Sequence, residues 1–167
     1  MSETRDRIEA FVSDNPGIHF SELVRRLDVA RGQIQYHLRR TDSVVSTDFS
    51  GRTHYFPPKY DERERERIAA LRRETASDAT AVLLRRGPSG PEAVADHIGV
   101  ARSTLEWHLD HLEAADLVEK RRDDRGRVTL ALVDPEETLS LLETVDPGIA
   151  VRLVDRFARL LDGLLEA

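Results

Sequence analysis

Arg31, Gln33, Gln35, Tyr36, Arg39 and Arg40 lie within ten consecutive residues, and the apolar Ile34 and Leu38 among them are four apart. That spacing predicts one helix with a buried stripe that leaves the polar side chains outside. A guanidinium can grip guanine O6 and N7 or a phosphate, and a carboxamide can pair with adenine through two hydrogen bonds. Tyr36 is read either as a partly buried aromatic or as a groove contact. Further on, Ser50, Gly51, Arg52 and His54 form a polar turn with one more cation. From Ala30 to Pro57 four arginines (Arg31, Arg39, Arg40, Arg52) face two aspartates (Asp42, Asp48), a balance of +2 inside a chain of net charge -6. These residue types, so arranged, suit recognition of double-stranded DNA.

A second stretch carries a weaker version of the same chemistry. Arg102, Ser103 and Thr104 open a helix, and Arg121, Arg122 and Arg125 lie in the hairpin that follows it. Glu106 and Asp110 share the exposed face of that helix, and the balance from Ala101 to Arg127 is six basic residues against seven acids. Glutamate can accept a hydrogen bond from cytosine N4, so base reading by this helix stays open beside a role as spacer or protein-binding surface. His37 and His108 occupy matching positions and are expected to pack at a helix edge with a locally bonded ring N–H, with phosphate contact as the alternative. His108 and His111, three apart, with His97 as a possible neighbour, lack an evident third ligand, so no metal site and no cofactor are expected.

These residues need elements to hold them. Val29–Leu38 aligns over Val100–Leu109 without a gap, with Val, Ala, Arg, His and Leu identical. The order of elements around the two segments also repeats. In the first copy, helices are predicted over 4–13, 21–27 and 31–40, with a tight turn at Asp28-Val29-Ala30 and strands over 44–48 and 53–56 around Ser50-Gly51. In the second, helices are predicted over 77–86, 91–98 and 101–114, with strands over 117–121 and 127–133. Between the copies, residues 61–74 read as a charged helix whose five acids meet five arginines. Asp61–Arg65 and Glu64–Arg67 have pairing distance on such a helix, so it is read as a solvated connector. Asp134-Pro135-Glu136-Glu137 and Asp146-Pro147 are two further helix starts.

Helix, helix, tight turn, helix and two-stranded hairpin, carried by Ser21–Leu38 and its second copy, resembles the winged helix-turn-helix plan. The His-Leu ending followed by a hairpin resembles ArsR/MarR-like transcriptional regulators. The duplicated arrangement with a helical tail is similar to regulators of archaea, especially halophilic ones. The resemblance implies a mainly α fold with small β-hairpin wings: two winged helix-turn-helix modules in tandem plus C-terminal helices. It divides the chain into module 1 (1–58), a charged linker helix (59–75), module 2 (76–134) and a C-terminal tail (135–167). It also implies regulation of transcription by DNA binding. The rival reading is a protein-binding adaptor, because paired winged helices also occur in chromosome-partitioning and transcription-machinery subunits.

Composition narrows the remaining classes. The chain has 167 residues and no cysteine, which removes disulfides, thiolate metal sites and cysteine nucleophiles. No phosphate-binding loop, nucleophile elbow, dinucleotide fingerprint or zinc-protease helix is present, and no enzymatic activity is expected. No apolar run is long enough to span a membrane, and the charged start has no apolar leader core, so a cytoplasmic protein is expected. Arginine outnumbers lysine, which occurs only at Lys59 and Lys120. An acidic, lysine-poor chain fits either a salt-rich cytoplasm or GC-rich codon usage. From Asp134 onward eight acids face three arginines, so the tail should turn away from DNA. Val154, Phe157, Leu161 and Leu164 follow coiled-coil spacing and are read as a homodimer seam, with folding back on the same chain as the alternative.

Overall fold

The computed structural model describes residues 2–149. The chain is mainly helical with small antiparallel sheets, and it divides into two compact units, 1–72 and 73–167. The expected dimer seam, Val154 to Leu164, lies outside the described residues.

In the first unit, α1 (Glu3–Asp14) is capped by the Ser2 side chain and buries Ile8 and Val12. A two-residue strand, β1 (Ile18–His19), leads directly into α2 (Phe20–Leu27). That strand has no signature of its own, because two residues are too few to show an alternation. Asp28 closes α2 in the left-handed conformation, with φ of 52°. α3 (Arg31–Leu38) follows, and β2 (Val45–Phe49) and β3 (Arg52–Phe56) form the hairpin. Ser50 and Gly51 between them both have positive φ, the conformation that a tight two-residue hairpin turn requires. The sheet order is β1-β3-β2, so the short strand closes the sheet beside the hairpin. The core joins Ile8, Val12, Ile18, Leu23, Leu27, Ile34 and Val44, a small cluster drawn from α1, β1, α2, α3 and the residue before β2.

Gly17 shows how closely β1 is held. Its φ is +84°, and a Cβ there would meet Arg72 Cδ and Ile68 Cγ2 at 2.9 Å. Only glycine suits both the conformation and the space.

The charged stretch read as a linker over 59–75 is two helices that meet at Arg72-Arg73. The first, α4 (Glu62–Leu71), belongs to the first unit. A reciprocal capping box between Asp61 and Glu64 starts it. Arg65, expected to pair along the helix with Asp61, instead donates to Thr47 Oγ1 on β2 and to the Tyr60 carbonyl, both at 2.7 Å. Arg72 donates to the Pro16 carbonyl at 3.2 Å and reaches Glu22 at 3.7 Å. Arg67, Ile68 and Leu71 are buried. Alternating Glu-Arg sequence conceals this inward face, because arginine stems can cover apolar surface while their heads find distant acceptors.

The second unit contains α5 (Glu74–Arg86), α6 (Pro91–Ile98), α7 (Arg102–Ala114), β4 (Val118–Arg122), β5 (Val128–Leu132) and α8 (Pro135–Val145). Proline at the first turn starts α6 and α8, and the Asp134 carboxylate accepts from the Glu137 amide at 3.1 Å. Ser89 bridges Leu130, so a single residue takes the place that β1 holds in the first unit. Val94, Leu105, Leu109, Leu112, Leu117 and Leu130 are buried in this unit.

His37 and His108 depart from the expected local bonding: in both, Nδ1 is buried without a hydrogen-bond partner among the described residues. Each ring instead stands edge-on to the preceding aromatic, Tyr36 at 5.3 Å and Trp107 at 4.8 Å between centroids. Burial, then the charges of Arg73 and His111, pushes the His108 pKa below its ordinary value. The unfolded chain therefore takes up this proton first as pH falls through about 6.5. Stability present above that pH is expected to decline toward the lowered folded-state pKa. Thermal midpoints by circular dichroism between neutral pH and pH ~5 should show the decline. His108→Gln should flatten it, and an unchanged slope in that variant would remove His108 as its source.

Candidate nucleic-acid interface

On α3 the buried residue is Ile34, while Arg31, Gly32, Gln33, Gln35 and Tyr36 are exposed, and Arg39 and Arg40 continue that surface past the last turn. The spacing of Ile34 and Leu38 thus holds the helix by one side. Tyr36 is 50% exposed, so its groove-facing alternative has the required accessibility. Arg31 lies over the Phe20 ring at 4.9 Å and Arg40 over the Tyr36 ring at 3.7 Å. Stacking of this kind fixes a guanidinium while leaving its N–H groups able to donate. Among the described residues, Arg31, Arg39, Arg40 and Arg52 make no ion pair with a carboxylate.

The start of α2, α3 and the hairpin turn of this unit surround a cleft of about 560 Å³, lined by His19, Phe20, Ser21, Gln35, Gly51, Arg52, Thr53 and Tyr55. Gln35 and Arg52, chosen from sequence, meet here. His19, Ser21, Thr53 and Tyr55 were not singled out. His19 caps α2, its Nδ1 accepting from the Glu22 amide at 3.4 Å. Glutamate three residues after a polar residue is a helix-start signal that could have marked this cap. Burial holds the His19 pKa below its usual value against the opposing pull of Glu22, and Arg52, Arg72 and Arg25 lower it further. The hairpin is braced by Thr53, which donates to Asp48 at 2.7 Å.

The second unit is arranged differently. Ser103 and Thr104 are exposed at the start of α7. Arg102 pairs with Glu106 at 3.0 Å and Glu92 at 3.2 Å. Lys120 pairs with Glu106 at 2.9 Å and Glu113 at 3.4 Å. On the hairpin, Arg121 pairs with Glu119 at 2.7 Å, and Arg127 with Asp123 at 2.8 Å. Arg122 reaches the Gly126 carbonyl at 3.5 Å, and the Arg125 amide donates to Asp123 at 2.9 Å. Of the basic residues expected to face DNA, Arg102 and Arg121 are engaged by carboxylates of their own unit, whereas the Arg122 and Arg125 side chains show no carboxylate partner among the described residues. Among the described residues, no group of three or more His, Asp or Glu side chains could hold a metal ion, and no helix is long and apolar enough to cross a membrane.

Residues 2–68 match the family model described as an N-terminal HTH domain (HTH_HVO_0163_N). Over those residues the first unit is similar to that helix-turn-helix domain. The chain is also similar to the uncharacterized HTH-type transcriptional regulator MJ1398 of Methanocaldococcus jannaschii, at 27% identity over 131 residues. That match covers 77% of this chain and 33% of the relative, so the chain spans about a third of the length of the curated protein it matches. Two solved structures are similar at low sequence identity. The YusO protein from Bacillus subtilis matches at 17% identity with a TM-score of 0.42, covering 64% of this chain and 86% of that one. The disulfide-formed AbfR matches at 17% identity with a TM-score of 0.41, covering 63% of this chain and 83% of that one.

Proposed function

We propose that the chain is a sequence-specific DNA-binding transcriptional regulator that reads the major groove with α3 of the first unit. The observation that carries this reading is the exposed side of α3. Its arginines and glutamines point outward, none of its cations is held by a carboxylate, and Arg52 of the hairpin lies beside Gln35 in the same cleft. The helix-turn-helix match over residues 2–68 and the similarity to an HTH-type transcriptional regulator of M. jannaschii support the same direction. In this reading the two units are winged helix-turn-helix modules in tandem, of ArsR/MarR-like, archaeal and halophilic type. The protein acts in the cytoplasm without enzymatic activity. It works as a homodimer through Val154, Phe157, Leu161 and Leu164, presenting two reading helices to an inverted repeat.

A second reading, a protein-binding adaptor, is favoured by one observation: Arg102 of α7 and Lys120, Arg121 and Arg127 of its hairpin are paired with carboxylates of their own unit. Selection from a randomised duplex pool in potassium chloride separates the two. Enrichment of an inverted repeat supports a dimeric sequence reader. A single asymmetric site keeps the regulator and removes the dimer. No enrichment by folded protein supports the adaptor.

On the enriched site, Gln33→Ala is expected to lose about 1–3 kcal/mol against one base pair and little against the others. Competition with single-position variants of the site measures this. Equal weakening at every position would withdraw base reading by Gln33.

A further inference from the structure

Gln35 and Glu106 occupy the same column of the two aligned segments, as do Arg31 and Arg102. In the first unit the position between helix and hairpin is a neutral carboxamide lining the cleft, and Arg31 lies on an aromatic face. In the second unit the same position is a carboxylate, and it gathers charge from both elements. One Glu106 oxygen takes Arg102 at the start of α7, and the other takes Lys120 on β4 at 2.9 Å. Glu92 and Glu113 add a second carboxylate to each cation.

We propose that Glu106 is a specificity determinant that weakens the hold of the second unit on DNA, by binding internally Arg102 and Lys120, two of the cations that a groove-facing helix and hairpin would offer to phosphates. The inference rests on the reading of the chain as a DNA-binding protein and assigns recognition to the first unit. A phosphate approaching α7 meets a carboxylate in the middle of the helix. The neighbouring cations reach that phosphate only by giving up partners they already hold. The hydrogen bond from Lys120, more than that from Arg102, keeps the Glu106 carboxyl below the usual carboxylate range, so the block stays charged at neutral pH. Charge placed against a competing ligand is a common way of excluding it.

The test uses the full chain and a long duplex of arbitrary sequence, with affinity read by fluorescence anisotropy across a potassium chloride series. Glu106→Gln, and Glu106→Gln with Glu113→Gln, keep side-chain shape and remove charge. The plot of log affinity against log salt is expected to steepen by about 0.9 per released cation, so by about 2 when Arg102 and Lys120 both engage phosphate. Glu106→Asp keeps the charge and should retain the parent slope. The same substitutions in an Arg31→Glu/Arg39→Glu background isolate the second unit, and a gain there supports the proposal whatever the first unit does. Folded glutamine variants with the parent slope and affinity overturn it, as does an equal gain from Glu106→Asp. Parent protein that binds as well with Arg31→Glu/Arg39→Glu defeats the reading of α3 and leaves the Glu106 comparison intact. Absence of binding by every variant defeats both.

Discussion

Arg31→Glu combined with Arg39→Glu is expected to abolish recognition of the enriched DNA site. The two positions bracket α3, and both side chains are exposed. A charge-assisted hydrogen bond contributes about 1.5–3 kcal/mol, so losing one at each end removes about a hundredfold to ten-thousandfold in affinity. Reversal adds repulsion from the duplex, and the salt slope should fall by about 2. Arg31 also gives up its place over the Phe20 ring, worth about 0.5–1 kcal/mol at an exposed site, which is too little to unfold the unit. Anisotropy titrations across salt, with thermal unfolding as a control, measure both quantities. A folded double variant with parent affinity and slope would show that α3 is not the DNA-facing element.

The largest stability effect is expected from Ile34→Ala. Ile34 is fully buried, on the one side of α3 that faces the core. Truncating a buried isoleucine removes about 2–5 kcal/mol, through lost transfer energy and the cavity left behind. Small domains hold only about 5–15 kcal/mol in total, and Ile34 belongs to a cluster of seven buried residues. The variant should therefore lose DNA binding without altering any exposed side chain. The aromatic residues separate the two units: Tyr36, Tyr55 and Tyr60 lie in the first, and Trp107, the single tryptophan, lies in the second. Urea unfolding followed by tyrosine signals should shift to lower denaturant in Ile34→Ala, while the tryptophan transition stays. Leu105→Ala, the matching position on α7, should do the reverse. Equal displacement of both transitions would mean that the units unfold as one.

The sequence by itself determined the local elements and their inward sides. Ile34 and Leu38 at helical spacing marked the face by which α3 is held, and Ser50-Gly51 marked the hairpin turn. Pro91 and Asp134-Pro135 placed two helix starts within a residue. Each of these signals depends on a few neighbouring residues, because backbone torsions and side-chain periodicity are local properties. The predicted end of the third helix, at residue 40, ran two residues past the observed end at Leu38. Helix ends fray, and nothing in Arg39-Arg40 forbids continuation.

Only the tertiary structure decided which charges remain available. Arg65 reaches Thr47, 18 residues away, so a helix read as a solvated connector is part of the first unit. Lys120 reaches Glu106, 14 residues away, and turns two basic residues of the second unit inward onto its own carboxylates. His19, Ser21, Thr53 and Tyr55 become one cleft with Gln35 and Arg52 only when β1 pairs beside β3. Long charged side chains choose among partners by three-dimensional proximity and desolvation, and linear spacing holds no record of that choice.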